Sequence, residues 1–73
     1  MKIGQTIKRI RAEKRSAGDN WRDWTQAACA ERAGMPQSQW AEIEDGRYRT
    51  HTLATLRRMA AAMECGIADI VGP

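Results

Sequence analysis

Residues 25–46 read TQAACAERAGMPQSQWAEIEDG and carry the signals for two short helices with a break between them. Thr25 is a good N-cap for the first helix, whose alanines allow a neighbouring element to approach closely. Gly34 ends that helix as a left-handed residue, and Pro36 suits the first position of the next, where a missing N–H is no loss. The predicted helices span approximately residues 25–32 and 36–45, before Gly46.

The second of these helices has two differently lined sides, because successive residues are rotated by about 100°. One side carries Trp40, Ile43 and Glu44, and the other carries Ser38, Ala41, Glu42 and Asp45. Two short helices joined by a tight glycine-containing turn form the helix-turn-helix arrangement. In that arrangement one helix lies across the sugar-phosphate backbone while the other enters the major groove. Residues 25–45 are therefore a candidate helix-turn-helix unit.

Upstream of this unit, isoleucines recur at helical spacing. Ile3, Ile7 and Ile10 stand at i, i+4 and i+7 with cationic residues between them, which predicts an amphipathic helix over residues 3–15. Residues 16–20, which read SAGDN, break this helix because glycine, asparagine and aspartate favour turns.

The start of the next helix is ambiguous from the sequence. Asn20 with Asp23 three residues later resembles a capping box, whereas Thr25 is an equally good N-cap. We predict a short turn that carries Trp21 and Trp24 as cover for the core, followed by a helix that begins near Thr25. Trp24 is the better core candidate of the two tryptophans.

Two further helices are predicted downstream. Thr52 can cap a fourth helix that ends near Glu64, and a short last helix follows it. The fourth helix has an apolar stripe at Leu53, Leu56, Ala60 and Met63, flanked by Met59, and the last helix is indicated by Ile67, Ile70 and Val71. No strand pattern or repeat is visible. The prediction is an all-α fold of about five helices in a single domain, residues 1–73.

The composition describes a small binding module. The chain has 73 residues, 42% of them hydrophobic, and a formal net charge of +3. So short a chain leaves little room for a deep water-excluding pocket, and self-association is a natural supplement to its stability. No apolar run approaches the roughly 18 residues that a membrane span requires, and no signal-peptide pattern follows Met1. We therefore expect a cytoplasmic protein with no membrane contact.

The charge is distributed unevenly. Residues 1–32 carry eight Lys or Arg against four Asp or Glu, net +4, whereas residues 33–73 carry four against five, net −1. A basic end suits a polyanion such as DNA, although a solvated helix face would look the same. Lys8, Lys14, Arg15 and Arg22 are accordingly secondary candidates for phosphate contact.

The residues that perform catalysis or bind metals are scarce. Cys29 and Cys65 match no metal-ligand spacing, and His51 is the only histidine. The sequence also has no Ser/His/Asp arrangement and no glycine-rich phosphate loop. We expect structural thiols, no metal, no cofactor and no enzymatic activity.

Four ordered motifs cover nearly the whole chain. They are Ile3-Gly4-x-x-Ile7-x-x-Ile10-Arg11, Thr25-Gln26-x-x-Cys29-Ala30-x-x-Ala33-Gly34-Met35, Trp40-x-x-Ile43-Glu44-x-Gly46 and Leu53-x-x-Leu56-x-x-Met59-Ala60-x-Ala62-Met63. In this order they resemble the lambda-repressor-like, Xre/Cro family of helix-turn-helix DNA-binding domains. The resemblance implies five packed helices and a sequence-specific transcriptional regulator, a repressor, bound to double-stranded DNA as a homodimer on an inverted-repeat operator. Such regulators are often encoded by phages, plasmids and other mobile elements.

The resemblance also assigns roles to individual residues. The base-reading positions of the family fall on Gln37, Ser38, Gln39 and Glu42. Its phosphate-binding positions fall on Gln26 and on Arg47, Tyr48 and Arg49, in the loop after the reading helix. Arg11 and Glu44 match an ion pair that joins the first helix to the end of the third, for which we expect a structural role. A dimer contact would be sought at Ile67, Ile70, Val71 and Trp21.

Three features depart from the family pattern. Residues 16–24 form an insertion between the first two helices, which could be a longer first helix, a DNA-contacting loop or a partner surface. Pro36 replaces the usual Ser or Thr cap. Glu42 and Asp45 make the exposed side of the third helix acidic, which disfavours a nearby phosphate, although the basic first helix, Arg47 and Arg49 can compensate. The alternative function is therefore a protein-interaction adaptor, anti-activator or antitoxin that binds a protein partner through the same fold.

Overall fold

The computed structural model describes residues 3–18, 20–47 and 52–72. These residues form five α-helices and one short 3₁₀ helix, with no strand among them. The elements are α1 (Ile3–Ser16), the 3₁₀ helix (Trp21–Trp24), α2 (Gln26–Ala33), α3 (Gln37–Glu44), α4 (Leu53–Ala62) and α5 (Ile67–Val71). The predicted all-α fold of five helices is confirmed. None of the helices described is long and apolar enough to cross a bilayer.

The helix starts follow the capping chemistry of the sequence, with one correction. Of the two competing starts for α2, the chain uses Thr25, whose Oγ1 accepts a hydrogen bond from the Ala28 N–H at 3.1 Å. Pro36 was predicted as the first residue of α3, but its ψ of 145° is extended and it stands one position ahead of the helix. Its carbonyl accepts the N–H groups of Gln39 and Trp40, so Pro36 caps α3 through its backbone.

The fourth helix ends earlier than the sequence predicts. The prediction placed its end near Glu64, whereas α4 stops at Ala62. Glu64 has a φ of 57°, and the N–H of Cys65 bonds back to the carbonyl of Ala60 at 3.0 Å. A residue in this left-handed conformation cannot continue a right-handed helix, so the chain turns there into α5.

One cluster of buried side chains joins all the elements. Its members are Ile7, Ile10, Trp24, Cys29, Ala30, Ala33, Met35, Trp40, Ile43, Leu56, Met59, Ala60, Ala62, Met63 and Ile70. Leu53 was predicted to belong to this cluster but is 52% exposed, because it stands in the first turn of α4, ahead of the residues that pack on α2 and α5. Burial raises the pKa of the Cys29 thiol, which keeps that group protonated within the core.

The apolar residues of the insertion and of the C-terminal helix divide between core and surface. Trp24 is buried, as predicted, whereas Trp21 is 48% exposed and does not cover the core. Ile70 is buried in the core cluster, and Ile67 and Val71 pack partly against it. The expectation that α5 exposes an apolar contact surface is therefore wrong for Ile70, because the small core uses that side chain itself.

Gly4 sets the distance between α1 and α3. A Cβ atom at this position would lie 2.2 Å from the carbonyl oxygen of Ile43 and 2.7 Å from that of Glu44. Those atoms belong to the backbone of the last turn of α3, so a flexible side chain cannot move aside to relieve the contact. The absence of a side chain at Gly4 therefore lets α1 lie directly against the end of α3.

We expect Gly4→Ala to lower the free energy of unfolding by about 1–3 kcal/mol through overpacking. Helix propensity alone favours the substitution by about 1 kcal/mol, so the two effects have opposite signs. Urea unfolding followed by circular dichroism measures the difference. Gly18→Ala is the matched control, because its Cβ would meet no atom closer than 3.8 Å. A stabilised Gly4→Ala variant would contradict the close approach of the two helices.

Candidate nucleic-acid interface

A tight turn fixes α3 relative to α2. Gly34 adopts the left-handed conformation with φ 70° and ψ 35°, which glycine reaches without a steric cost. Two backbone hydrogen bonds of 3.0 Å close the turn, from Gly34 N–H to the Glu31 carbonyl and from Met35 N–H to the Ala30 carbonyl. The Met35 side chain is buried beneath the turn. Residues 25–45 thus fold as the helix-turn-helix unit that the sequence indicates.

The two sides of α3 differ in burial. Trp40, Ile43 and Glu44 face the core, with Trp40 completely inaccessible to solvent. Gln37, Ser38 and Glu42 are exposed, and Gln39 is half-buried at the border between the two sides. Ser38 and Glu42 are one helical turn apart and therefore lie on the same face. The side assigned to base reading is not covered by the described part of the chain.

The buried carboxylate of Glu44 accepts hydrogen bonds from residues of three helices. Its Oε2 accepts Arg11 Nε at 2.7 Å, and its Oε1 accepts Arg11 Nη2 at 3.1 Å, which makes the ion pair bidentate. Oε1 also accepts the Gln26 amide at 3.1 Å, and Oε2 accepts the indole N–H of Trp40. Arg11, which the family resemblance pairs with Glu44, uses its remaining Nη1 to bond the Trp24 carbonyl at 3.0 Å. The carboxylate is therefore satisfied on both oxygens.

These contacts determine the ionisation of Glu44. Burial acts to raise the pKa of the carboxyl, but hydrogen bonds from Arg11, Gln26 and Trp40 and the charge of Arg11 outweigh it, so the pKa is lowered. The hydrogen bonds to Glu44 likewise raise the pKa of the Arg11 guanidinium. Both groups thus remain charged at neutral pH although the Glu44 side chain is fully buried and that of Arg11 is 11% exposed.

The predicted phosphate-binding residues lie around this carboxylate and beyond α3. Gln26 is half-buried at the start of α2, with one amide hydrogen directed at Glu44. A primary amide has a second hydrogen, so Gln26 can donate to a phosphate while it holds Glu44. Arg47 is exposed and pairs with Asp45, its Nη2 lying 2.6 Å from Oδ2. Tyr48 and Arg49 lie outside the described residues, and their predicted phosphate contacts stay predictions.

The Arg47–Asp45 pair changes the electrostatics of the interface. The sequence between residues 33 and 46 contains no cation to offset Glu42 and Asp45. The structure places the Arg47 guanidinium beside Asp45, and the hydrogen bond between them raises the pKa of Arg47. Glu42 is then the carboxylate that dominates the exposed side of α3, because Arg47 compensates Asp45.

Several contacts of the site were not predicted from the sequence, among them the bond from the Gln26 amide to Glu44 and the Arg47–Asp45 pair. Trp40 and Glu44 stand at i and i+4, so their shared face was visible, but the indole was assigned only to the core. The bond from Arg11 to the Trp24 carbonyl had no sequence signal, because any residue offers a backbone carbonyl. Trp24 itself contacts two cations, with Lys14 Nζ 5.8 Å and Arg32 Cζ 4.8 Å from its ring centroid.

Two helices, a left-handed glycine turn and an open outer side on the second helix define a helix-turn-helix domain. Residues 2–70 match the family described as helix-turn-helix domain, and the chain belongs to that family, as predicted. One similar protein is the immunity repressor protein of Bacillus phage phi105, which is 38% identical over 72 residues. The match covers 99% of this chain but 44% of that relative, so the chain spans less than half of the relative's length. No solved structure is significantly similar to the chain.

We expect Glu44→Gln to lower the free energy of unfolding at pH 7 by about 3–5 kcal/mol, because it leaves the partly buried Arg11 without its counter-charge. The lowered pKa of Glu44 means that its stabilising effect is complete above the pKa of the unfolded state. The effect is lost as the pH falls through the pKa of the folded state. The difference between wild type and variant should therefore shrink on acidification, as urea unfolding at several pH values can measure.

The control for this prediction is Glu13→Gln. Glu13 forms an ion pair with Arg9 at 3.1 Å, but the two side chains are 65% and 62% exposed. An exposed pair contributes little, so we expect a change of less than about 1 kcal/mol at any pH. Equal effects of the two substitutions would show that the burial of Glu44 has no energetic consequence.

Proposed function

We propose that this chain is a sequence-specific DNA-binding transcriptional regulator, a repressor, that inserts α3 into the major groove. The observation that carries the proposal is the outward side of α3. Gln37, Ser38 and Glu42 are exposed there, while the opposite side of the same helix is held by the core and by the buried Glu44. A helix that is rigidly supported on one side and polar on the other is suited to reading base edges.

The residue types on this side match the chemistry of the major groove. A glutamine amide such as that of Gln37 donates and accepts at once, which fits N6 and N7 of adenine. The Glu42 carboxylate can accept from the N4 amino group of cytosine, and the hydroxyl of Ser38 can bond to either kind of partner. Gln39 is less exposed than the others and meets the DNA from the border of the helix.

Phosphate contacts position the protein without reading sequence. We assign this role to Gln26, Arg47, Tyr48 and Arg49. Gln26 supports the assignment because its amide stands at the start of α2, where the partial positive charge of the helix N-terminus also attracts an anion. Arg47 has to share its guanidinium between Asp45 and a phosphate, which its five N–H donors allow.

The proposal also includes repression and binding as a homodimer. The relative from phage phi105 is named an immunity repressor, and 99% of the present chain aligns with it. A homodimer on an inverted-repeat operator would place one α3 in each half-site, about one helical turn of DNA apart. The small size of the core is consistent with additional stability from self-association.

Selection of bound duplexes from a random pool tests the proposal. A repressor of this kind enriches an inverted repeat, and mobility shifts then show affinity that falls steeply with salt. An adaptor that binds a protein through the acidic Glu42 side enriches no sequence and has no salt-dependent affinity for duplex DNA. The absence of both signals would overturn the DNA-binding assignment.

We expect Gln37→Ala to weaken binding to the selected duplex by about 1–3 kcal/mol, or roughly 5- to 150-fold, while binding to random duplex is unchanged. Titrations of both duplexes at one salt concentration measure the effect. Gln5→Ala is the matched control, because Gln5 is an exposed glutamine on α1 rather than α3. Equal losses on the two duplexes would contradict base reading by Gln37.

Arg47→Ala has a different expected signature. Loss of a phosphate contact lowers affinity for every sequence and reduces the slope of log K against log salt by about one. Arg57→Ala, an exposed arginine on α4, removes the same charge at a different place. If the two variants lose the same small amount of affinity, Arg47 acts only through net charge.

A further inference from the structure

An open cleft lies at the surface where α1 meets the 3₁₀ helix of the insertion. Its volume is about 640 Å³, and it is lined by Lys8, Arg11, Ala12, Arg15, Ser16 and Trp21. The α1 residues among them follow one another at helical spacing and therefore share a face. Three of these six residues are cationic and none is acidic, so the cleft has a positive lining.

Trp21 organises two arginines beside this cleft. The Arg15 and Arg22 guanidinium carbons lie 5.5 and 5.4 Å from the centroid of its ring. The ring is half-exposed rather than packed into the core, so its position is explained by these contacts and not by core burial. A guanidinium held over an aromatic ring still presents its N–H edge, which matches a phosphate in a bidentate manner.

Arg11 is neutralised by Glu44, but the cleft cations Lys8 and Arg15, and Arg22 beside the cleft, form no ion pair within the described residues. The ion pairs found there join Arg9 to Glu13, Arg11 to Glu44 and Arg47 to Asp45. Lys8, Arg15 and Arg22 take part in none of them. Two guanidinium groups held near one ring add their positive potentials, which an anion bound beside them would lower. The arrangement therefore favours a negatively charged ligand.

The cleft is continuous with the helix-turn-helix unit through Arg11. This residue lines the cleft, and its guanidinium binds Glu44, which also accepts the amide of Gln26. A DNA backbone that reaches Gln26 at the start of α2 thus arrives beside the basic cleft. This continuity favours duplex DNA over an acidic protein as the ligand.

We propose that the cleft lined by Lys8, Arg15 and Trp21, together with Arg22 on the other contact of the Trp21 ring, binds backbone phosphates of the DNA next to the half-site met by α3. The inference rests on the proposed function and assigns the insertion, residues 16–24, a role in extending the DNA interface. Trp21 is a positioning residue that holds Arg15 and Arg22 towards the phosphates. The cleft adds affinity for any sequence and no discrimination between bases.

The test compares Arg15→Ala/Arg22→Ala with Arg57→Ala/Arg58→Ala, which removes two exposed arginines from α4. Duplex affinity is measured from 50 to 200 mM salt on both the selected operator and a random duplex. For the cleft variant we expect a slope reduced by about two on both duplexes. The ratio of wild-type affinity to variant affinity should therefore fall by roughly tenfold between 50 and 200 mM salt. The α4 variant should keep the wild-type slope, and circular dichroism should show all variants folded.

Trp21→Leu separates the positioning role from the charge. It keeps both arginines, so we expect the slope of log K against log salt to differ from that of wild type by less than about one. The affinity should fall by about two- to fivefold. If wild type binds the operator and the cleft variant has the same slope and affinity, the inference fails while the proposed function stands. If wild type binds no duplex at any salt concentration, the proposed function fails and the inference fails with it.

Discussion

The position of α3 depends on one buried carboxylate. Glu44 sits at the end of that helix and receives hydrogen bonds from Arg11 on α1, Gln26 on α2 and Trp40 on α3 itself. Removal of a carboxylate from water costs several kcal/mol, and this cost is offset only when both oxygens are bonded and the charge is paired. The contacts to Glu44 meet both conditions. Helices α1, α2 and α3 therefore share a single group that tolerates little displacement.

A steric constraint acts at the same place as this electrostatic one. Gly4 brings α1 within contact of the last two carbonyl groups of α3, so Arg11, two turns further along α1, reaches Glu44. Gly34 supplies the other fixed point by turning the chain between α2 and α3. The end and the beginning of α3 are thus both held, one by close backbone packing and one by a turn. In a core this small, such local constraints take over part of the role that a larger apolar interior has elsewhere.

The fold was largely predictable because its signals are local. Thr25, Gly34 and the isoleucines of α1 act through capping, backbone conformation and helical periodicity, which short stretches of sequence contain. The errors arose where the outcome depends on tertiary surroundings. Leu53 continues the apolar stripe of α4 but lies ahead of the residues of that helix that are packed. Trp21 stands three residues before the buried Trp24 yet stays half-exposed. Glu44 and Arg11 are 33 residues apart, so only a family resemblance, and not the local pattern, could pair them. Base reading by Gln37, Ser38, Gln39 and Glu42 stays a prediction, since it depends on a ligand and not on the fold.

The unequal sides of α3 have a consequence for how this domain can diverge. Its inward residues are tied to Glu44 and the core, whereas Gln37, Ser38 and Glu42 are exposed. Exposed helical positions usually accept substitution within about half a kcal/mol. Under the proposed function, mutations there would retarget the protein to a new operator while folding stays intact, and a lineage would change its binding specificity without passing through unstable intermediates.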